Sequence, residues 1–154
     1  MTDGMAAYEH DWLNGQIVDH APEAIIMADR EGIIRLWNAG ASTVFGYSAA
    51  EATGQSLDLI IPERFRARHW EGFQKVMQTG VTRYGTELLA VPAARRDGAR
   101  ISLEFSVTLL RDPSGEIAGI AAIMRDVTER WEEQRQMRQR LADLEAQLAA
   151  KSAD

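Results

Sequence analysis

Any chemistry in this chain would have to come from few side chains. Histidine occurs three times, at His10, His20 and His69, far apart and never at the paired spacing of a metal site. There is no Gly-rich phosphate loop and no Gly-x-Ser-x-Gly elbow. Asp and Glu total 23, but the sequence singles out no pair for acid–base work, which leaves them as surface charge. An enzyme is therefore not expected. His69 has the most informative surroundings, because it shares one side of a helical stretch from Glu63 to Gln78 with Phe65, Phe73, Val76 and Met77. A neutral imidazole on an apolar helix face can ligate a metal when its second nitrogen has a hydrogen-bond partner; beside Trp70 it can equally bridge the helix end and a sheet. Trp12, Trp37, Trp70 and Trp131 could wall a flat cofactor such as flavin, but packing is the better reading, with packing or dimerisation explaining Trp131 on the exit helix. Met27, Met77 and Met124 read as core filler.

Composition narrows the class. The chain has 154 residues, 45% of them hydrophobic and 26% charged, which suits one ordinary domain with a real core. A formal charge of -6 argues against a nucleic-acid surface, and the loose cluster Arg64, Arg66, Arg68 and Arg83 reads as a solvated helix face. Without cysteine, disulfides and thiolate metal sites are excluded. No apolar run approaches membrane-spanning length, and Met1-Thr2-Asp3-Gly4 has neither a basic start nor an apolar signal core, so a cytoplasmic protein with no membrane partner is expected.

The elements that must position these residues follow from local pattern. Met5, Tyr8, Trp12, Leu13 and Ile17 suit one face of a short helix, with an interruption at Asn14-Gly15 and an end at Pro22. Ala24 to Ala28 and Ile33 to Trp37 predict a strand pair turning at Asp29-Arg30-Glu31-Gly32. Asn38 caps a helix that Gly46 stops, Ser48 and Glu51 form a capping box, and Pro62 opens the Glu63–Gln78 helix, which Thr79-Gly80 ends. Strands then run from Thr86 to Ala94 and from Arg100 to Leu110 across a turn at Arg95-Arg96-Asp97-Gly98. Ile101, Leu103, Phe105, Val107 and Leu109 share one face of the second. A last strand follows Asp112-Pro113-Ser114-Gly115 and passes through Ile117, Ile120, Ile123 and Met124 into a helix with almost no loop. Asp126 and Glu129 predict a capping box at that junction.

The turn Asp29-Arg30-Glu31-Gly32, the segments Trp37-Asn38-Ala39-Gly40-Ala41 and Phe45-Gly46-Tyr47, Gly54-Gln55, Arg95-Arg96-Asp97-Gly98 and the Asp126-to-Arg130 junction together resemble a PAS domain over Pro22 to Arg130. The resemblance implies an α+β fold, a five-stranded antiparallel sheet with short helices on one face and flanking amphipathic helices at each end. It also implies a sensory or interaction module of the kind attached to kinases, cyclases, chemoreceptors or transcription factors. Trp37 stands where PAS sequences commonly carry an aromatic, and the lack of cysteine excludes the cysteinyl-flavin photochemistry of the blue-light branch. The expected organisation is a helical cap over residues 1–21, the PAS domain over 22–130 and a signalling helix over 131–154.

Pro62 to His69 is similar to the segment that supplies the proximal heme ligand in oxygen-sensing PAS domains of bacterial kinases and phosphodiesterases. That likeness implies a heme b held by His69, with Tyr84, Phe105 and Val107 on the distal side and Met124 in the pocket wall. Leu89 would stand where the rhizobial oxygen sensors carry an arginine that holds bound gas, which argues against oxygen as the signal. Glu87 sits near the sixth-ligand methionine of the phosphodiesterase branch, and a carboxylate substitutes poorly for it. A ligand-free interaction module, its pocket filled by Phe105, Val107, Met124 and their neighbours, is the rival expectation.

Met137, Leu141, Leu144 and Leu148 alternate by four and three residues, the spacing of an a/d seam over about two heptads. A parallel homodimer in which this helix and the N-terminal amphipathic segment pack together is expected, the alternative being a single helix folded back on its own sheet. Asp126 and Thr128 would carry a ligand or partner signal from sheet to helix, and onward to a downstream effector.

Overall fold

The computed structural model describes residues 8–82 and 89–153. A helix α1, His10–His20, precedes strands β1, Ala24–Asp29, and β2, Ile34–Trp37. Helices α2, Ala39–Phe45, and α3, Ala49–Ala52, lead through a 3-10 turn at Leu57–Ile60 to the long helix α4, Glu63–Thr79. Strands β3, Leu89–Ala94, β4, Arg100–Arg111, and β5, Ile117–Asp126, complete one sheet before the exit helix α5, Thr128–Ser152. The sheet order is β2-β1-β5-β4-β3, with every pair antiparallel. This is the five-stranded α+β arrangement that the sequence implies.

Alternation selects the buried face. Ala24, Ile26 and Ala28 of β1 are buried while Ile25 and Met27 between them are half-exposed, the period of a sheet covered on one side. The core joins these residues to Phe45, Leu57, Ile60, Phe73 and Met77 from the helical side, and to Ile101, Leu103 and Met124 from the sheet. On the other face Ile123 is 48% exposed.

The punctuation acts locally as its chemistry dictates. Asn38 Oδ1 accepts from the Ala41 N–H at 2.9 Å and caps α2, Ser48 and Glu51 form both halves of their box, and Gly46 and Gly80 end α2 and α4 at positive φ. Two expectations fail. The helix α1 runs through Asn14-Gly15, since one internal glycine costs only about 1 kcal/mol relative to alanine. The Asp126–Glu129 capping box does not form: pairing of Asp126 with Leu103 keeps Asp126 in β5, so Val127 becomes the N-cap and offers no side-chain acceptor. The strand expected from Thr86 is described only from Leu89.

Candidate functional site

His69 lies in the middle of α4, half-buried, and its ring neighbours come from its own helix. Trp70 meets it edge-on with centroids 4.9 Å apart, and Phe73 lies 5.9 Å away. The Nδ1 atom is buried and has no hydrogen-bond partner. Burial lowers its pKa, with the charge of Asp58 pulling the other way, so the imidazole is neutral near pH 7. Trp70 is fixed more firmly. Its indole N–H donates to Asp58 Oδ1 at 2.7 Å, and its ring closes over Gly32, where a Cβ would come within 2.1 Å of it. Arg66 donates to the carbonyls of Ile61 and Asp58 and completes the clasp between α4 and the 3-10 turn.

The remaining pocket residues inferred from the family resemblance fall on the sheet. Leu89 pairs with Phe105 and Phe105 with Met124, so these three occupy one cross-strand row on β3, β4 and β5, and Val107 pairs with Ala122 one step along. Tyr84 and Glu87 lie outside the described residues. Met124 is buried in the same apolar cluster as Phe73, Met77 and Leu103, with Phe105 packed against it. Two hollows, of about 170 and 180 Å³, lie elsewhere: one among Arg30, Gly80, Arg111 and Ile117, the other on the outer sheet face at Glu104, Ser106, Ile123 and Arg125. Both are smaller than the roughly 300 Å³ at which pockets for drug-sized ligands begin. His69 presents an unpartnered ring nitrogen, but among the described residues no hydrogen bond orients its ring, and it lines neither hollow.

The tryptophans do not converge on a flat cofactor. Trp37 is buried, with its indole N–H shared between Ser42 Oγ and the Tyr47 carbonyl, while Trp12 stacks on Tyr8 and Trp131 lies beneath Arg138. Among the described residues no group of three or more His, Cys, Asp or Glu could hold a metal ion, and no helix is long and apolar enough to cross a membrane.

At the other end of the sheet, the junction is stitched sideways into β4. Val127 N–H donates to the Ser102 carbonyl at 2.9 Å, and Ser102 N–H donates to Thr128 Oγ1 at the same distance. Asp126 Oδ1 accepts from both the backbone N–H and the hydroxyl of Thr128, and Arg130 pairs with Glu104. Asp126 and Thr128 are thus hydrogen-bonded to each other where β5 passes into α5. Beyond this first turn α5 buries nothing: Met137, Leu141, Leu144 and Leu148 are between 49% and 71% exposed. That observation removes the alternative in which the helix folds back on its sheet.

A family model described as the PAS fold matches residues 18–132. The chain belongs to the PAS-fold family. Among curated proteins this PAS domain is 30% identical over 132 residues to the sensor protein FixL of Bradyrhizobium diazoefficiens, a match covering 86% of this chain and 25% of that protein. It is 32% identical over 136 residues to the signal transduction histidine-protein kinase AtoS of Escherichia coli, covering 86% and 21%. The chain thus spans about a quarter or less of the length of these relatives. Among solved structures, a PAS domain from Colwellia psychrerythraea superposes with a TM-score of 0.69 at 21% identity, covering 79% of this chain and 99% of that one. An RNA-binding light-oxygen-voltage receptor does so with 0.70 at 21% identity, covering 86% and 37%. This PAS domain is thus related to segments of a sensor protein and of a sensor histidine kinase.

Several connecting residues of the PAS domain escape sequence reasoning. Asn38 reads as a helix cap, but its Nδ2 also donates to the carbonyls of Val18 and Glu23, which binds the end of α1 to the domain. Gly40 allows this approach, since a Cβ there would lie 2.1 Å from the Glu23 carbonyl oxygen. Ser102 and Glu104, the partners of the junction, sit on the outer face of β4 and carry no signal short of the register itself. The aromatic-then-Asn-then-small order at Trp37, Asn38 and Gly40 is the one trace that could have pointed to the α1 clamp.

Proposed function

We propose that this PAS domain is a non-catalytic sensory module that dimerises through α5 and transmits the state of its sheet to that helix through Asp126 to Arg130. The organisation proposed with it is a helical cap over 1–21, the sensory domain over 22–130 and a signalling helix over 131–154, which would feed an effector. The observation carrying this reading is the contrast within α5: its first turn is hydrogen-bonded into β4, while the seam beyond it, Met137, Leu141, Leu144 and Leu148, stays exposed. Half-exposed leucines gain on the order of 1.5 kcal/mol each when buried against a partner, enough together to offset much of the cost of association. The test replaces Leu141 and Leu144 by Asp. Light scattering should show a dimeric wild type and a folded monomeric variant; a wild type that is monomeric at high concentration, or a variant that stays dimeric, rejects the seam. Phosphotransfer by the isolated chain, abolished by a point change, would overturn the non-catalytic reading.

A second reading, heme at His69, is favoured by the buried Nδ1 without a partner on a neutral ring. Protein purified from heme-supplied cells supports it if a Soret band appears and is lost in His69→Ala; colourless wild type returns the site to a ligand-free pocket closed by Phe105, Val107 and Met124. Flavin absorbance in the same spectrum would displace both readings.

A further inference from the structure

We propose that the hollow at the end of the sheet remote from α5 binds inorganic phosphate, held by Arg30 and Arg111 and recognised through its remaining O–H by Glu116. The site stands apart from the α5 seam and from His69, which does not line it. Strand register assembles it. Asp29, the last residue of β1, pairs with Gly119, so Arg30 follows beside the start of β5, where its Nη1 donates to the Ile117 carbonyl at 2.7 Å. Arg111, the last residue of β4, is the cross-strand partner of Ile117, and its Nη1 donates to the Gly115 carbonyl at 2.9 Å. The end of α4 closes the third side: a Cβ on Gly80 would lie 3.1 Å from Arg111 Nη2 and 3.4 Å from Ile117 Cδ1.

Two guanidiniums that line one hollow repel each other, and here neither is neutralised. Neither Arg30 nor Arg111 belongs to an ion pair among the described residues, although Arg35, Arg66, Arg95, Arg96, Arg125 and Arg130 all do. Each gives one hydrogen bond to a carbonyl, which orients the group, out of the five donors a guanidinium carries. The remaining donors suit an oxyanion, which accepts charge-assisted bonds in fork geometry. A volume of about 170 Å³ gives room for a tetrahedral oxyanion but lies below the range of drug-sized ligands. Glu116 and the C-terminal end of α4 narrow the choice further, since both line the hollow. A carboxylate and the negative end of a helix dipole repel an anion that offers only lone pairs, yet both accept from an O–H. Inorganic phosphate keeps an O–H at neutral pH. Sulfate has none, and a phosphomonoester, with its second pKa at about 6, has lost its own by about pH 8.

Calorimetric titration of the full chain at about pH 8 and fixed ionic strength, in a phosphate-free buffer, compares inorganic phosphate, sulfate and methyl phosphate. Phosphate should bind saturably, about tenfold or more tightly than the other two, because like-charge juxtaposition costs several kcal/mol. Arg30→Gln and Arg111→Gln should each weaken phosphate binding about tenfold, the loss expected of a charge-assisted contact. Glu116→Gln, whose amide can also donate, should bring sulfate to within about threefold of phosphate. Backbone amide shifts at Gly80, Gly115 and Ile117 should move during the titration while that at Thr128 stays fixed. Absence of saturable binding, equal affinity of the wild type for phosphate and sulfate, shifts confined to other residues, or binding that ignores both arginine changes overturns the proposal. Unchanged melting of each variant without phosphate excludes misfolding as the cause. Should Arg111→Gln fail to fold, Arg111→Lys, which keeps the charge and loses the fork, should still weaken binding about threefold.

Discussion

At the scale of single residues, His69 and Gly32 show how one helix face serves both packing and titration. The His69 ring is half-buried with a lowered pKa, so the folded chain takes up a proton less readily than the unfolded chain. Its contribution to stability is therefore full above the ordinary histidine value of about 6.5 and is lost as pH falls below it toward the folded value. Urea denaturation between pH 8 and 5 should show this decline, and His69→Leu should flatten it; an identical slope in the variant would place the dependence on other groups. Asp58 faces the same cluster, but its carboxylate already accepts from Trp70, which limits how far it can turn to a protonated imidazole. Gly32 has φ +78 and Trp70 directly above it, so Gly32→Ala combines an unfavourable backbone with a clash against a ring that the Asp58 bond holds in place. A loss of about 1–3 kcal/mol is expected from the two-state unfolding curve. The turn at Gly32 is legible from Asp29-Arg30-Glu31-Gly32 alone. Its need for space is not, because Trp70 comes from a helix 38 residues later, a separation that no local pattern reports.

At the scale of elements, the sheet and its connections were largely readable because burial on one face imposes a period of two and each turn carries its own punctuation. Ile101, Leu103 and Phe105 do alternate inward, and Asn38, Ser48 and Gly46 do cap where they stand. The junction was readable in position but not in bonding. Asp126 and Glu129 have the right spacing for a box, yet strand pairing to Leu103 outbids local capping and moves the helix start by one residue. What replaces the box is a relay in which Thr128 takes the Ser102 amide and gives its own hydroxyl proton to Asp126. Thr128→Val keeps the shape and removes both bonds. It should cost about 1–2 kcal/mol, because the half-buried Ser102 amide is left without its acceptor. Hydrogen exchange at Ser102 should accelerate while that at Ile26, in the centre of β1, stays unchanged; equal acceleration at both sites would mean that the bond supports the fold as a whole rather than the junction.

At the scale of the molecule, the chain divides into a core that closes its own surfaces and a helix that does not. Asn38 and Gly40 hold the end of α1 against β1, Arg96 reaches from the β3–β4 turn to Glu51, and Arg125 reaches to Glu23, so the sheet and its short helices are cross-tied independently of α5. Among the described residues, side-chain bonds tie the exit helix to the sheet through its first turn, at Thr128 and Arg130. A helix with no tertiary contact owes its persistence to propensity alone, and most of the stability of helices in proteins comes from packing an apolar face. The two parts should therefore separate in a melting experiment. A chain truncated after Arg130 should melt within a few degrees of the dilute full-length protein, because residues from Glu132 onward bury nothing in their own chain. The full-length protein, by contrast, should gain stability with concentration as mass action draws monomers into the dimer, by RT ln of the ratio of concentration to dissociation constant once that ratio is large. Circular dichroism at several concentrations reads both effects, since the helical signal of α5 and the cooperative transition of the core are followed in one scan. A truncated chain that fails to fold would mean that α5 supports the core after all, and a melting temperature independent of concentration would mean that the exposed seam has no partner in a second copy.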